Sequence, residues 1–199
     1  MSAFSRPGGP VGAVAASSAM RFTRLSIGGW CPDAPRLADP PRVDAPVLVR
    51  PAEPGDADGI HAIVDHWARA GEHLPRTREE ILSKIGDFVV AESSHRIVAC
   101  ASLVAYTPEL AEIRSVGTLP GAGRRGLGSR VVRHCFGEAA ARGHGRVFVL
   151  TRAPAFFATL GFAPVPIDTL PEKIHLDCVR CPRRDACDEI AMLRPSRLR

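Results

Sequence analysis

The chain has 199 residues, 45% of them hydrophobic and 24% charged, with a formal net charge of +5. That is enough apolar material for one buried core of enzyme size. The positive excess is spread out with no block of like charges, so it gives no argument for nucleic acid, and no apolar run approaches the roughly 20 residues of a membrane helix.

Residues 1–46 are rich in Gly, Pro, Ser and Ala, and carry no acidic residue before Asp33. They read as a disordered or mis-started tail ahead of a domain at 47–195, with Met20 as an alternative start. A transit peptide is the competing reading; the sparse Arg6, Arg21 and Arg24 and the helix-breaking Pro7 and Pro10 weigh against it. Residues 47–50 then form a short strand and 54–70 a helix, with Asp56 or Asp58 near its start. In that helix Ile60, Ile63, Val64, Trp67 and Ala68 recur at helical spacing. Thr77 and Glu80 make a capping box opening a second helix that carries Ile81, Leu82 and Ile85 inward. Runs at 88–92 and 96–104 are predicted strands joined by a tight turn at 93–95. Another strand at 112–118 ends in a Gly- and Arg-rich turn. A helix follows, burying Val131, Val132, Cys135, Phe136 and Ala139. A buried strand at 146–150, a short helix through Phe156, Phe157 and Leu160 closed by Gly161-Phe162, and a strand at 189–193 complete the chain.

The turn Gly123-Arg124-Arg125-Gly126-Leu127-Gly128-Ser129 is the most informative segment. Small residues let backbone N–H groups approach a ligand, the helix behind adds positive charge, and arginine pairs with phosphate in a bidentate way. It is not the dinucleotide fingerprint, because Val131 stands where the third glycine belongs. Nor is it a P-loop, since the chain's two lysines, Lys84 and Lys173, lie elsewhere. The turn resembles the acyl-CoA pyrophosphate loop of the GNAT acetyltransferases, (Arg or Gln)-x-x-Gly-x-(Gly or Ala), with Gly126 and Gly128 in register. Gly123 stands where that pattern has Arg or Gln, with Arg124 beside it. The element order is also that of GNAT proteins, which implies an α+β fold with a mixed central sheet and flanking helices.

From Val49 to about Met192 the chain is similar to the short amino-acid N-acetyltransferases of the N-acetylglutamate synthase family. The carrying segments include 74–80, 87–92, 111–116 and 178–182, and above all Phe148-Val149-Leu150-Thr151 with Phe156-Phe157-Ala158-Thr159-Leu160-Gly161-Phe162. The resemblance implies acetyl transfer from acetyl-CoA to the α-amino group of L-glutamate, the first step of arginine biosynthesis, in the cytoplasm. It implies small-molecule substrates with neither nucleic acid nor membrane as partner, and it admits a homodimer. It places acetyl-CoA on Val116, Gly117 and Thr118, whose backbone N–H groups face the acyl carbonyl, and on Arg124, Arg125, Gly126, Leu127, Gly128 and Ser129. Glu112 is the candidate base; the alternative is that it pairs with Arg114 on the same strand face. Glutamate's two carboxylates call for arginines, and Arg76, Arg114 and Arg152 are the candidates. The tyrosine that often protonates the thiolate is replaced by Phe157, which leaves that step to solvent.

Cys31, Cys100 and Cys135 are scattered, and the last two read as buried thiols. His175-x2-Cys178-x2-Cys181-x5-Cys187 has the look of a Cys3His set for structural zinc. A redox pair and plain packing thiols stay open beside it. Two other function classes also stay open: a GNAT enzyme acting on a different amine, and a non-catalytic zinc or nucleic-acid module.

Overall fold

The computed structural model describes residues 46–122 and 125–196; the tail expected over 1–46 lies, apart from Pro46, outside them, as does Cys31. Seven strands form one sheet in the order β1-β2-β3-β4-β5-β7-β6. They are β1 (Leu48–Pro51), β2 (Phe88–Ser93), β3 (Arg96–Thr107), β4 (Leu110–Thr118), β5 (Arg146–Thr151), β6 (Ala163–Pro164) and β7 (Ile190–Pro195). Every neighbouring pair is antiparallel except β4 with β5. The helices are α1 (Ala57–Arg69), α2 (Arg78–Ser83), α3 (Leu127–Ala141), α4 (Pro154–Ala158) and α5 (Pro171–Leu176). None is long and apolar enough to cross a membrane among the described residues.

Period-two alternation decides which helix each side chain meets. On β2, Phe88 and Val90 join the α1 residues Ile60, Ile63 and Val64, whereas Val89 and Ala91 join the α3 residues Leu127, Val131, Val132, Cys135 and Ala139. Ile60 and Ile63 are fully buried, each worth about 1.5–3 kcal/mol by removal from water. A third cluster of Leu110, Phe148, Leu170 and Ala191, with Tyr106 against it, holds the start of α5 to the β4–β5–β7 end.

Local signals behave as the chemistry requires. The β2–β3 hairpin turns on Ser94 and His95, both left-handed at φ 50° and 58°, the mirror-image turn that suits twisted strands. Thr77 and Glu80 form the expected reciprocal cap at 3.1 and 2.9 Å. Because α2 runs only six residues, Leu82 points outward, 37% exposed, and Ile81 alone of the expected trio is fully buried. Cys100 and Cys135 are buried as expected, and desolvation pushes each thiol up to about 12.

Candidate active site

The parallel β4–β5 pairing covers only Leu110 with Arg146, Ala111 with Val147 and Glu112 with Phe148. Beyond Glu112 the strands part, β4 staying with β3 and β5 turning to β7. A bulge aids the parting. Between the pairs Cys100–Gly117 and Ser102–Arg114, β3 advances two residues and β4 three; Ser115 takes up the difference at φ 53°. A non-glycine residue in that region carries about 1–3 kcal/mol of strain, and bulges of this kind re-aim a strand. The edge that β5 leaves behind carries the backbone groups of Val116 and Thr118. Their carbonyls accept hydrogen bonds from His73 Nε2 at 3.1 Å and Trp67 Nε1 at 2.8 Å, and their N–H groups project from the same edge. At Gly117 a Cβ would lie 2.7 Å from Ile63 Cγ2 and 3.1 Å from Trp67 Cδ1, so glycine is what lets α1 lie against the bulged strand.

Three residues past β4's last pair with β3, the chain turns toward α3. Gly126, the α3 N-cap, is left-handed at φ 70°, a conformation glycine adopts without penalty. Gly126 has no side chain to cap α3, and no acidic residue sits in its first turn. The amides of Leu127, Gly128 and Ser129 therefore end the helix with its positive pole uncovered, which fits a pyrophosphate. Arg125 is exposed next to it; Gly123 and the expected phosphate ligand Arg124 lie outside the described residues.

Glu112 sits where the strands fork and is 2% exposed. Lys173 of α5 reaches its two oxygens at 2.9 and 3.0 Å, and the Tyr106 hydroxyl lies 2.8 Å from Oε2. Asp177 closes the group: its Oδ2 accepts from Lys173 at 2.9 Å and Arg114 at 3.1 Å, and it bonds the Tyr106 hydroxyl. Arg114 is 3.6 Å from Glu112, so the close partner of Glu112 is Lys173 rather than the arginine two residues on. Burial by itself would lower the Lys173 pKa, but the charge of Glu112 and the bonds to Asp177 and Glu112 outweigh it and hold the ammonium above its ordinary value. Burial likewise works to raise Asp177, and the bonds from Tyr106 and Lys173 with the charges of Lys173 and Arg114 bring it below the usual carboxylate value. Burial and the two carboxylates push the Tyr106 phenol up, which keeps it protonated.

The three expected arginines divide. Arg76, between α1 and α2, faces Arg114, Glu112 and Asp177 but has no hydrogen-bond or ion-pair partner among the described residues. Burial, then the like charge of Arg114, pulls its pKa below the ordinary value. Arg114 Nε is buried without a partner. Arg152 instead ties two walls together: it bonds Asp188 at 2.7 Å and the Gly71 carbonyl, with Glu72 at 3.6 Å. Lys173, Asp177 and Tyr106 were not foreseen as site residues. A signal existed, since Leu170-Pro171-Glu172 has proline and an acid where a helix starts, and Lys173 and Asp177 lie one turn apart.

The expected zinc set does not assemble. Among the described residues no three His, Cys, Asp or Glu side chains converge to hold a metal, so His175, Cys178, Cys181 and Cys187 are corrected to free side chains. The reason is the direction of α5. Lys173 turns inward to Glu112, which leaves His175, two residues on, exposed to solvent. Cys178 is half-buried, and burial together with the nearby Cys187 and Cys181 raises its thiol against the charge of Lys173. Cys187 is exposed.

A parallel β4–β5 splay beside an uncapped, glycine-led helix defines an acyl-CoA-dependent acyltransferase. The chain belongs to the acetyltransferase (GNAT) family, which it matches over residues 60–162. It is 37% identical over 150 residues to an uncharacterized N-acetyltransferase of Chlorobaculum tepidum, covering 75% of this chain and 97% of that one. To the amino-acid acetyltransferase of Neisseria meningitidis it is 31% identical over 136 residues, 67% of this chain and 31% of the relative. Among solved structures, N-acetylglutamate synthase from Neisseria gonorrhoeae, complexed with coenzyme A and N-acetyl-glutamate, is similar with a TM-score of 0.70 and 27% identity. That likeness covers 78% of this chain and 36% of the synthase. A Mycobacterium tuberculosis protein in complex with CoA is similar with a TM-score of 0.66 and 25% identity, covering 74% of this chain and 98% of that one. The chain thus spans about a third of the Neisseria enzymes. It is an acetyltransferase whose acyl donor is a CoA thioester.

Proposed function

We propose that this chain transfers the acetyl group of acetyl-CoA to the α-amino group of L-glutamate, the first step of arginine biosynthesis, in the cytoplasm. The observation that carries the reading is the spare donor capacity of Arg76 and Arg114 beside the fork. Two desolvated guanidinium groups with open donors suit an acceptor bearing carboxylates, and glutamate has two. Arg152 braces the wall on which Arg76 stands. The name of the Neisseria gonorrhoeae synthase supports the same acceptor, and that of the Neisseria meningitidis relative supports an amino acid.

The acceptor arrives as an ammonium and must lose a proton before it attacks. Glu112 is the base of this reading, reached through the Tyr106 hydroxyl that bridges it to Asp177. The amine then adds to the thioester carbonyl, and the oxyanion meets the N–H groups on the Val116–Thr118 edge. The C–S bond breaks, and the thiolate takes its proton from solvent, because Phe157 is core, 6% exposed. Thiol release from acetyl-CoA across the proteinogenic amino acids tests the reading. Glutamate should give the highest kcat/KM; a clear preference for another amine overturns the assignment.

A further inference from the structure

Three buried side-chain atoms have no partner among the described residues: His73 Nδ1, Arg114 Nε and Glu172 Oε2. The first two border the acceptor side of the fork, and the mechanism above leaves His73 without a role. Its backbone N–H is fixed to Trp67 O at 3.2 Å, and its Nε2 lies 3.1 Å from Val116 O. A carbonyl oxygen only accepts, so Nε2 carries the ring proton and Nδ1 is left as a bare acceptor. A buried acceptor without a donor is costly, and such an atom in a native protein calls for an explanation. The charged neighbours of the ring are Glu72, Arg76 and Arg152, and burial lowers its pKa, which favours the neutral form. Arg114 Nε is the mirror case, a donor without an acceptor. A zwitterionic α-amino acid supplies both missing halves, an N–H for the ring and a carboxylate oxygen for the guanidinium.

We propose that His73 Nδ1 accepts a hydrogen bond from the α-ammonium of the amino-acid acceptor and so aligns the amine with the thioester. The inference rests on the amino-acid reading of the site but not on glutamate in particular. Two substitutions separate the halves of the ring. His73→Gln keeps an N–H donor near the Nε2 position for Val116 O and removes the Nδ1 acceptor. His73→Asn places a carbonyl oxygen near the Nδ1 position and gives up the Val116 bond. His73→Gln should raise the amino-acid KM roughly tenfold or more, with the acetyl-CoA KM and the melting temperature unchanged. His73→Asn should recover most of the amino-acid affinity despite a lower melting temperature. The inverse order, Gln near wild type and Asn impaired, means that His73 merely braces β4 and overturns the proposal. The assay uses whichever amino acid the wild-type enzyme prefers. A preference other than glutamate therefore sinks the glutamate assignment and leaves this test in force, whereas acceptance of non-amino-acid amines alone sinks both.

Discussion

At the β1 edge of the sheet, Arg50 uses every nitrogen of its guanidinium. Nε and one terminal nitrogen bond Glu92 at 3.0 and 2.8 Å, and the two terminal nitrogens grip Asp56 at 2.7 and 3.0 Å. At the fork between β4 and β5 the chemistry is the same but unfinished: Arg114 bonds Asp177 through one terminal nitrogen, and among the described residues its Nε has no partner and Arg76 beside it has none at all. Both groups are partly or wholly removed from water, so both bear the desolvation cost of charge. The first recovers it by closing on itself and locks β1 to β2 and to the start of α1. The second leaves valences open, which is useful only if something else completes them. An ion cluster that serves the fold alone has its donors satisfied; one that serves binding keeps some in reserve.

Three substitutions can break or sharpen this contrast. Lys173→Met carries the largest expected effect, because it leaves Glu112, 2% exposed, without its close counter-charge and with Arg114 only at 3.6 Å. A broken buried pair costs about 3–5 kcal/mol, read as a lower urea midpoint together with lost activity. An unchanged midpoint would show that the pair does not support the fold. The wild type should also show the limits of the cluster in pH. Asp177, held low, contributes above its ordinary value and loses that contribution as pH falls through its depressed value. Lys173, held high, contributes below its ordinary value and loses it only as pH rises through the raised one. The stabilisation should therefore be flat from about pH 4 to about pH 10 and decline outside that window.

Arg50→Met comes next. Asp56 and Glu92 would lose their shared cation, at about 2–3 kcal/mol, while the amino-acid KM stays where it was; a shifted KM would erase the distinction between the clusters. Arg76→Ala should have the smallest effect on stability, within about 0.5 kcal/mol. Yet it should raise the glutamate KM roughly tenfold or more and leave the acetyl-CoA KM alone. Lower stability with unaltered binding would return Arg76 to the fold.

Much of the fold could be read from periodicity. β2, β4, β5, α1 and α3 fall within a few residues of their predicted places, because each repeats long enough for its apolar face to show. β6 has two residues and α5 six, too short for a pattern to emerge. The glycine-led turn into α3 was equally legible: a left-handed N-cap demands a residue such as Gly126, and a demand of that kind is written locally. The ion cluster at the fork was not. Glu112 and Lys173 are 61 residues apart, and nothing short of the packing of α5 on the sheet brings them together. The cysteine spacing misled for the opposite reason. Spacing along a chain gives ligand count but not direction, and for His175 on α5 the direction was claimed by Lys173.

The chain's two lysines, Lys84 and Lys173, stand in opposite circumstances. A protein that handles an activated acyl donor exposes its own amines to accidental acylation. Lys173 is 8% exposed, its amine protonated and ion-paired, and an ammonium has no lone pair to attack with. Lys84, at the end of α2, is exposed. Apart from the chain terminus, the folded protein thus offers acyl donors a single lysine, and an acetyl mark on Lys173 would record that α5 had come off the sheet.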